Sequence, residues 1–464
     1  RCGTRRRRCA ALGSDNPRAG SKISVGDKRG LTGCGIPCPW LAHVVGEFVY
    51  EYLLSPCSRY DAGMSTNHKN VQADQQEPFN WHSDCRFELL IDGTAFFPRI
   101  LQAIGQAQFC IDIEMYLVES GQATQRLVAA LTAASLRGVV VRCLFDATGS
   151  TGFSVEERHA LRGAGVDLCF YNPISLFRGV SNLHRDHRKL LLFDRRIVCI
   201  GGLGFTDDFC EPDDADGALQ PAQTPWHEQM LVVEGDIVED WQRLFEQSWL
   251  QAKWPSRKVL DCPPQKHASV PWPEVTPGLG RVAFSASRNN RDLLLSLISR
   301  IRHAQSWVWL ATPYFVPPRS LRRALTAAAR RGIDVRLQVC GNFTDLPPVR
   351  YAGQIYYAEL LRAGVRIFEY QPRFSHLISA LVDQWVTLGS YNFDHWTLHW
   401  NLEANQNALD PALAHAVQQS FEQDFQLSTE LTSHRWRQLP MHYRLKIFFW
   451  GRVKKLADLC LSFY

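Results

Sequence analysis

The sequence has no apolar run of about 20 residues, which is the length that a helix needs to cross a bilayer. Its nearest candidate, residues 40–54, is shorter and contains Glu47 and Glu51. None of its 14 cysteines forms a Cys-x2-Cys pair, so the spacing that is typical of zinc sites is missing. The sequence therefore predicts no transmembrane helix, no metal site and no cofactor.

The first 63 residues lack methionine and differ in composition from the rest of the chain. They contain five cysteines and hold 10 Lys and Arg against 5 Asp and Glu. The whole chain has 51 basic and 46 acidic residues, so the remainder has 51 − 10 = 41 basic and 46 − 5 = 41 acidic residues. The net charge of +5 thus comes from this segment. We predict that residues 1–83 form an irregular leader outside the fold.

A motif of the form His-x-Lys-x4-Asp is the strongest signal for chemistry in the chain. Its members are His187, Lys189 and Asp194, and a Gly-Gly step follows at residues 201–202. The apolar residues after the lysine predict two short buried strands around a turn at residues 194–196. Side chains two apart on a strand share a face, so the imidazole and the ammonium lie side by side. This pairing suits a phosphate, because the lysine holds its charge while the histidine attacks phosphorus or protonates a leaving oxygen.

The same spacing recurs 189 residues later (376 − 187 = 189). His376 and Asp383 stand at its ends, a Gly-Ser step follows at residues 389–390, and Ile378 occupies the position of the lysine. In each half the predicted order is helix, strand, helix, Arg-Gly, strand, helix, Ala-Gly-Val, strand and then the histidine motif. Such alternation is typical of α/β architecture. We therefore predict two similar lobes that face each other across a pseudo-twofold axis and offer one histidine each to a shared cleft.

These patterns divide the chain after the leader into four segments. We predict a first lobe over residues 84–255, a Pro-rich linker over 256–280 and a second lobe over 281–430. Residues 431–464 form a basic tail in which aromatic and aliphatic residues are interleaved with Lys and Arg. Such a composition is typical of an amphipathic helix at an anionic membrane surface, and a terminal helix packed on the core is the alternative.

The two motifs resemble those of the phospholipase D superfamily, whose members carry one His-x-Lys-x4-Asp motif in each half. Residues 311–317 (Ala-Thr-Pro-Tyr-Phe-Val-Pro) and 401–405 (Asn-Leu-Glu-Ala-Asn) are similar to phrases of the bacterial cardiolipin synthase group. The resemblance, which covers roughly residues 87–426, implies an α/β fold of two pseudo-symmetric α/β/α lobes with a shared active-site cleft. It also implies an enzyme that transfers a phosphatidyl group through a phosphohistidine.

The resemblance further implies roles for individual residues. His187 and His376 act as nucleophile and general acid, and the intact motif favours His187 as the nucleophile. Asp194 and Asp383 hold the two rings, and Lys189 binds the phosphate. The other phosphate ligands that it implies are Ser390 and Asn392.

Two residues depart from the family pattern. Ile378 cannot carry a charge or donate a hydrogen bond, and Gly204 stands where cardiolipin synthases usually have asparagine. Loss of one charged donor from a dry phosphate site costs about 3 kcal/mol, or roughly a hundredfold in rate. Arg373, which lies nearby in sequence, is a candidate substitute. The chain is thus either a working but asymmetric enzyme or a degenerate member that keeps only the fold and lipid binding.

The charge distribution favours a lipid over a nucleic acid as the partner. A nuclease is expected to have a basic surface along its groove, whereas here the basic excess outside the leader gathers in the tail. We therefore predict phospholipids such as phosphatidylglycerol as substrates, peripheral association with the cytoplasmic side of the cell membrane, and no nucleic acid partner. The alternatives are a catalytically silent membrane-binding protein and a phosphodiesterase that acts on nucleic acid.

Overall fold

The computed structural model describes residues 79–210, 224–253, 278–285, 292–394 and 397–462. The predictions for residues 1–78 and for most of the linker at 256–280 lie outside this part of the chain. Within it, strands and helices alternate in two halves, as the sequence predicts.

Within the described residues the first half has eight strands, seven of which form one mixed sheet. Its strands are β1 (Arg86–Ile91), β2 (Cys110–Met115), β3 (Val140–Asp146), β4 (Asp167–Tyr171), β5 (Arg185–Asp186), β6 (Lys189–Phe193), β7 (Ile197–Gly201) and β8 (Gln229–Glu234). Its α-helices are α1 (Gly93–Gln106), α2 (Gln122–Leu136), α3 (Val155–Gly163) and α4 (Val238–Lys253). Seven strands pair in the order β1-β8-β7-β6-β2-β3-β4, in which β2, β3 and β4 are parallel and the other pairs are antiparallel.

The second half repeats this sheet. Its strands are β9 (Leu279–Ser285), β10 (Trp307–Ala311), β11 (Asp334–Cys340), β12 (Arg366–Tyr370), β13 (Ser379–Val382), β14 (Trp385–Gly389), β15 (Asn401–Leu409) and β16 (Ser428–Leu431). Its α-helices are α5 (Asp292–His303), α6 (Arg319–Arg330), α7 (Pro347–Gln354), α8 (Tyr357–Ala363), α9 (Thr397–Trp400), α10 (Pro411–Gln426), α11 (Ser433–Arg437) and α12 (Met441–Ser462). The order β9-β15-β14-β13-β10-β11-β12 matches the seven strands of the first sheet in position and direction, so the predicted duplication is confirmed. Strand β16 extends the second sheet by pairing antiparallel with β12.

The apolar faces of the helices explain the layers. Helices α1 and α2 bury residues such as Ile100 and Leu127 against one face of the first sheet. Helices α5 and α6 do the same on the second sheet with Leu297 and Leu325. Helices α4 and α10 contribute to a further buried cluster, which also contains strand residues of both sheets. Trp241 is among the buried residues of these helices. Each sheet therefore has helices on both faces, which is the predicted α/β/α arrangement.

Local sequence signals fix several helix ends. Ser154 caps α3 by accepting a hydrogen bond from the backbone N–H of Glu157. Asp410 caps α10 in the same way, and Pro411 occupies the first helical position, where its missing N–H costs nothing. Gly364 ends α8 with a φ of 97°, a left-handed conformation that glycine adopts without strain.

The two lobes exchange backbone hydrogen bonds at their histidine motifs. Strand β5 of the first lobe pairs in parallel with β15 of the second, and the N–H of His187 donates to the carbonyl of Leu402 at 3.0 Å. In the reciprocal place the N–H of His376 donates to the carbonyl of His227 at 2.8 Å. Each motif is thus held against the backbone of the opposite lobe, on β15 for His187 and just before β8 for His376.

The fold begins before the predicted boundary at residue 84. Phe79 is buried between the sheets, with its ring centroid 5.2 Å from that of Phe284. The backbone of His82 pairs with Gly280, and its Nε2 lies 2.7 Å from a carboxylate oxygen of Asp240. Residues 79–83 therefore belong to the folded unit, and the prediction that the leader extends to residue 83 is wrong for them.

A buried charge network joins the lobes beside the motifs. The ring of His227 lies between two carboxylates, with Nδ1 at 2.8 Å from Asp92 and Nε2 at 3.1 Å from Asp424. The same ring stacks on Tyr370 at 5.1 Å between centroids. Burial acts to lower the pKa of His227, but the two carboxylates outweigh it and raise the pKa to about 9. His227 is therefore an imidazolium that bridges acidic groups of both lobes.

Candidate active site

His187 lies just before β6, with Lys189 at its side as the motif predicts. The ammonium nitrogen of Lys189 is 3.1 Å from Nε2 of His187. On the other side of the ring, Nδ1 lies 3.1 Å and 3.2 Å from the two carboxylate oxygens of Glu403. Lysine is only a donor here, so Nε2 accepts its hydrogen bond and Nδ1–H donates to Glu403. The ring is neutral in this arrangement, and its Nε2 lone pair is occupied by the ammonium of Lys189.

His376 occupies the equivalent place in the second lobe. Its Nδ1 lies 2.6 Å from a carboxylate oxygen of Glu228. Burial raises the pKa of Glu228 well above its usual range. Burial also lowers the pKa of His376, to about 3, and the ammonium of Lys189 adds to this. The aromatic rings that surround His376 are those of Phe209, Trp226, Tyr314 and Phe374.

Electrostatic interactions link the two imidazoles across the lobes. Burial is the largest cause that lowers the pKa of His187, and the charges of Lys189 and His376 lower it further. Burial lowers the pKa of Lys189 to about 8, although the nearby carboxylates of Glu403 and Glu228 act to raise it. Lys189 therefore lies among the groups of both histidines, and each ring is within electrostatic reach of the other.

The carboxylates that hold the rings come from the opposite lobes, and sequence reasoning missed both. Glu403 is on β15 of the second lobe and holds His187, and Glu228 immediately precedes β8 of the first lobe and holds His376. Both glutamates are almost completely buried. The sequence did contain a signal for these two glutamates. Each is an acid in the strand segment that follows the Gly-Gly step (residues 201–202) or the Gly-Ser step (residues 389–390) of its own half. The spacing within one motif cannot show it, since the contact is made across the duplication.

Asp194 and Asp383 do not hold the rings, so that prediction is wrong. Each lies in the tight turn after its motif strand with a φ of 51°, and its carboxylate accepts hydrogen bonds from three backbone N–H groups at the start of a neighbouring strand. Burial acts to raise the pKa of Asp194, but these bonds lower it overall. The donors are Gln108, Phe109 and Cys110 for Asp194, and Gln305, Ser306 and Trp307 for Asp383.

Replacing Asp194 or Asp383 by alanine is expected to reduce stability and leave catalysis nearly intact. Each change removes an acceptor from three N–H groups near solvent and should lower the free energy of unfolding by about 1 kcal/mol. The rate should stay within about twofold, since neither carboxylate contacts a ring. Urea unfolding and activity measured on the same samples check this, with Asp194→Asn as the matched control. A rate loss of two orders of magnitude with unchanged stability would restore the catalytic role.

The two predicted phosphate ligands differ in their surroundings. The hydroxyl of Ser390 donates to Glu403 and accepts the N–H of Ala404 at 3.0 Å, so it positions the carboxylate that holds His187. Asn392 is buried next to this segment, and its side-chain oxygen has no hydrogen-bond partner within the described residues. The unpaired atom of Asn392 is therefore an acceptor, and any contact with a phosphoryl oxygen would come from its NH2 group, whereas the hydroxyl of Ser390 already donates and accepts.

The structure shows what surrounds the two residues that depart from the family pattern, Ile378 and Gly204. Ile378 is buried, with 1% of its surface exposed. A side chain at Gly204 would bring its Cβ within 3.0 Å of Leu117, so the larger residue of the family pattern does not fit without movement. Arg373 does not replace the missing lysine, because its guanidinium pairs with Asp92 and donates to the carbonyl of Pro225. Among the residues that the structure describes, Lys189 is the one Lys or Arg that contacts either imidazole.

Comparisons with known proteins agree with this geometry. The family model described as "Cardiolipin synthase, PLD-like domain" matches residues 100–249 and 297–425. A cardiolipin synthase of Alkalihalophilus pseudofirmus is 32% identical over 327 residues, which are 69% of this chain and 61% of that protein. Cardiolipin synthase B of Shigella flexneri is 32% identical over 321 residues, which are 68% of this chain and 74% of that protein. The chain thus spans 61% of the length of the first of these relatives.

A solved structure supports the fold. The phosphatidylserine synthase of Haemophilus influenzae superposes with a TM-score of 0.64 at 15% identity, covering 84% of this chain and 97% of that one. The duplicated sheets, the paired histidines and the match to the family model over both lobes lead to one conclusion. The chain belongs to the cardiolipin synthase family of phospholipase D-like proteins.

Proposed function

We propose that the protein is a phosphatidyltransferase that moves a phosphatidyl group from one phosphatidylglycerol to the alcohol of another phospholipid and releases glycerol. The observation that carries this is the pair of converging imidazoles, each fixed through Nδ1 by a buried glutamate of the opposite lobe. A carboxylate on Nδ1 leaves Nε2 free to react and stabilises the ring when it becomes charged. Two such rings and one ammonium supply a nucleophile, an acid and a phosphate ligand without a metal.

The different surroundings of the two rings support His187 as the nucleophile and His376 as the acid. Lys189 donates to Nε2 of His187, which must therefore be unprotonated and able to attack phosphorus. The pair formed by His376 and Glu228 includes a carboxyl whose pKa is well above its usual range, so it can hold a proton for the leaving group. When phosphate arrives, its charge draws the ammonium of Lys189 away from Nε2 and exposes the lone pair.

The transfer then runs in two balanced steps. In the first, Nε2 of His187 forms a bond to phosphorus, the bond from phosphorus to the glycerol oxygen breaks, and His376 protonates that oxygen. In the second, His376 takes the proton of the incoming alcohol, whose oxygen attacks phosphorus as the bond to His187 breaks. Asn392 and Lys189 bind the phosphoryl oxygens in both steps.

Lipid analysis of a host that lacks cardiolipin tests the proposed function. Expression of the wild-type chain should produce cardiolipin, and the His187→Asn and His376→Asn variants should produce none above background, since each removes a reacting group. The Asp194→Asn variant is the control for expression and should behave as the wild type. Absence of cardiolipin with the wild-type chain, while its fold is intact, would contradict the proposal. A nuclease assay without divalent metal checks the nucleic acid alternative.

The choice between an asymmetric enzyme and a degenerate one depends on Ile378. Lys189 supports the asymmetric enzyme, because it lies against His187 and its charge also reaches His376. The Ile378→Lys variant should then change the rate less than about tenfold, whereas a gain of a hundredfold or more would mean that the natural chain is degenerate.

Membrane association is part of this proposal, since the substrates are lipids. No helix of the described residues is both long enough and apolar enough to span a bilayer. We propose peripheral association with the cytoplasmic side of the cell membrane, as the composition of the tail predicts.

A further inference from the structure

Helix α12 is anchored along one side only. It packs on α7, and its docked residues Tyr443, Ile447 and Gly451 recur every four residues. The hydroxyl of Tyr443 accepts hydrogen bonds from Arg350 at 3.0 Å and from Gln354 at 3.1 Å. At Gly451 a Cβ would lie 2.5 Å from a side-chain carbon of Ile355, so the two elements meet closely there. The position of this helix is therefore fixed by specific contacts.

The opposite side of α12 is apolar and open to solvent. At about 100° per residue, its large apolar side chains fall on the half of the helix that points away from α7. Exposed apolar residues are ordinary when single, but a continuous row of them marks an interaction surface. The exposed fractions are 73% for Met441, 59% for Leu445, 59% for Phe448, 58% for Phe449, 37% for Val453 and 55% for Leu456.

Basic residues accompany this apolar row. Arg444 and Lys455 lie along one of its edges and Lys446 lies along the other, all three exposed. Arg452 falls within the row, and its guanidinium lies 4.9 Å from the ring centroid of Phe448. The single acidic residue of the helix is Asp458. A long basic side chain beside aromatic rings reaches the headgroups of a bilayer while its neighbours enter the acyl region.

The residues on which α12 packs are connected to residues that surround His376. Helix α7 starts two residues after Asp345, and the hydroxyl of Tyr314 donates to the carboxylate of that residue. The ring of Tyr314 lies 6.3 Å from the ring of His376. The next residue, Phe315, has its carbonyl against Gly353 of α7. One packed unit therefore connects the exposed helix to the histidine.

We propose that α12 lies in the interface of an anionic bilayer, with its open apolar row among the acyl chains and its basic residues at the headgroups. The choice of lipid as the partner rests on the proposed function. The charge of the helix selects a bilayer over a second copy of the chain, because two such basic faces would repel each other. Because α12 packs on α7, this position of α12 in the bilayer interface holds the His376 side of the cleft near the membrane surface. The phosphodiester of a lipid lies at that surface.

Vesicle sedimentation with the full chain tests this inference. Vesicles of phosphatidylcholine with phosphatidylglycerol should bind the wild type at least about tenfold more strongly than vesicles of phosphatidylcholine alone. The double variant Phe448→Ser and Phe449→Ser should lose at least about tenfold in binding. The double variant Arg452→Gln and Lys455→Gln should lose the preference for the anionic lipid. Phe109→Ser is the matched control, because Phe109 is 71% exposed elsewhere on the surface, and it should bind as the wild type.

Transfer measured on a soluble short-chain phosphatidylglycerol separates this inference from the proposed function. Both double variants should keep the wild-type rate on that substrate, which shows that they fold, and lose it on vesicles that contain phosphatidylglycerol. Phe109→Ser should keep the wild-type rate on both. Unchanged vesicle binding of both double variants would overturn the inference. So would light scattering that shows a dimer in the wild type and a monomer in the phenylalanine variant, with vesicle binding intact. A chain that binds vesicles through α12 but transfers nothing would overturn the proposed function instead.

Discussion

The Lys189→Met variant is expected to lose about a thousandfold in transfer rate. One donor to a developing phosphoryl charge is worth about a hundredfold to a thousandfold, and this chain has Ile378 in place of a second lysine. Methionine has a similar length and no charge, so it fills the buried space without a donor. The measurement is kcat/KM on soluble short-chain phosphatidylglycerol. A loss of tenfold or less would mean that another cation binds the phosphate.

The same residue predicts a pH dependence. Burial lowers the pKa of Lys189 to about 8. In the proposed function it is the ammonium form that binds phosphate. The charged form is complete below this pKa and is lost as the pH rises through it. The value of kcat/KM, which reports on the free enzyme, should therefore fall above about pH 8. In the Lys189→Arg variant this fall should disappear, because a guanidinium stays charged. A fall at the same pH in both proteins would assign the titration to another group.

The His227→Ala variant is expected to show the largest loss of stability, about 3–5 kcal/mol in the free energy of unfolding. The ring is the charged partner of Asp424, which otherwise keeps a hydrogen bond from the amide of Gln338. Asp92 retains Arg373, so the unpaired charge falls mainly on Asp424. Urea unfolding measures the change, and His159→Ala is the control because His159 is exposed. A loss below about 1 kcal/mol would show that the network is not charged.

The pKa of His227 also determines whether the stability of the fold rises or falls as the pH changes. Its pKa in the folded state is about 9, above the ordinary value of 6.5. The stabilisation is therefore complete below about pH 6.5 and is lost as the pH rises through about 9. The gap in unfolding free energy between the wild type and His227→Ala should be wide at pH 6 and narrow at pH 10. A gap that does not change with pH would mean that the ring acts by packing alone.

The sequence carried the duplication, the hairpins and both histidines, because these depend on residues close together in the chain. The roles of Asp194 and Asp383 could not be derived in this way. An Asp at a fixed distance from a histidine fits an orienting role, but the turn conformation directs each carboxylate to backbone N–H groups instead. The true partners, Glu403 and Glu228, lie 216 and 148 residues from their histidines, and no local pattern encodes such a pair.

Each imidazole is held by a glutamate of the opposite lobe, and this has a consequence while the protein is being synthesised. His187 emerges from the ribosome long before Glu403, and Glu228 emerges long before His376. A nascent first lobe therefore holds an imidazole without its carboxylate and a carboxylate without its imidazole. The proposed transfer needs both pairs, so we expect an unfinished or truncated polypeptide to lack it until β15 and the second histidine motif are in place.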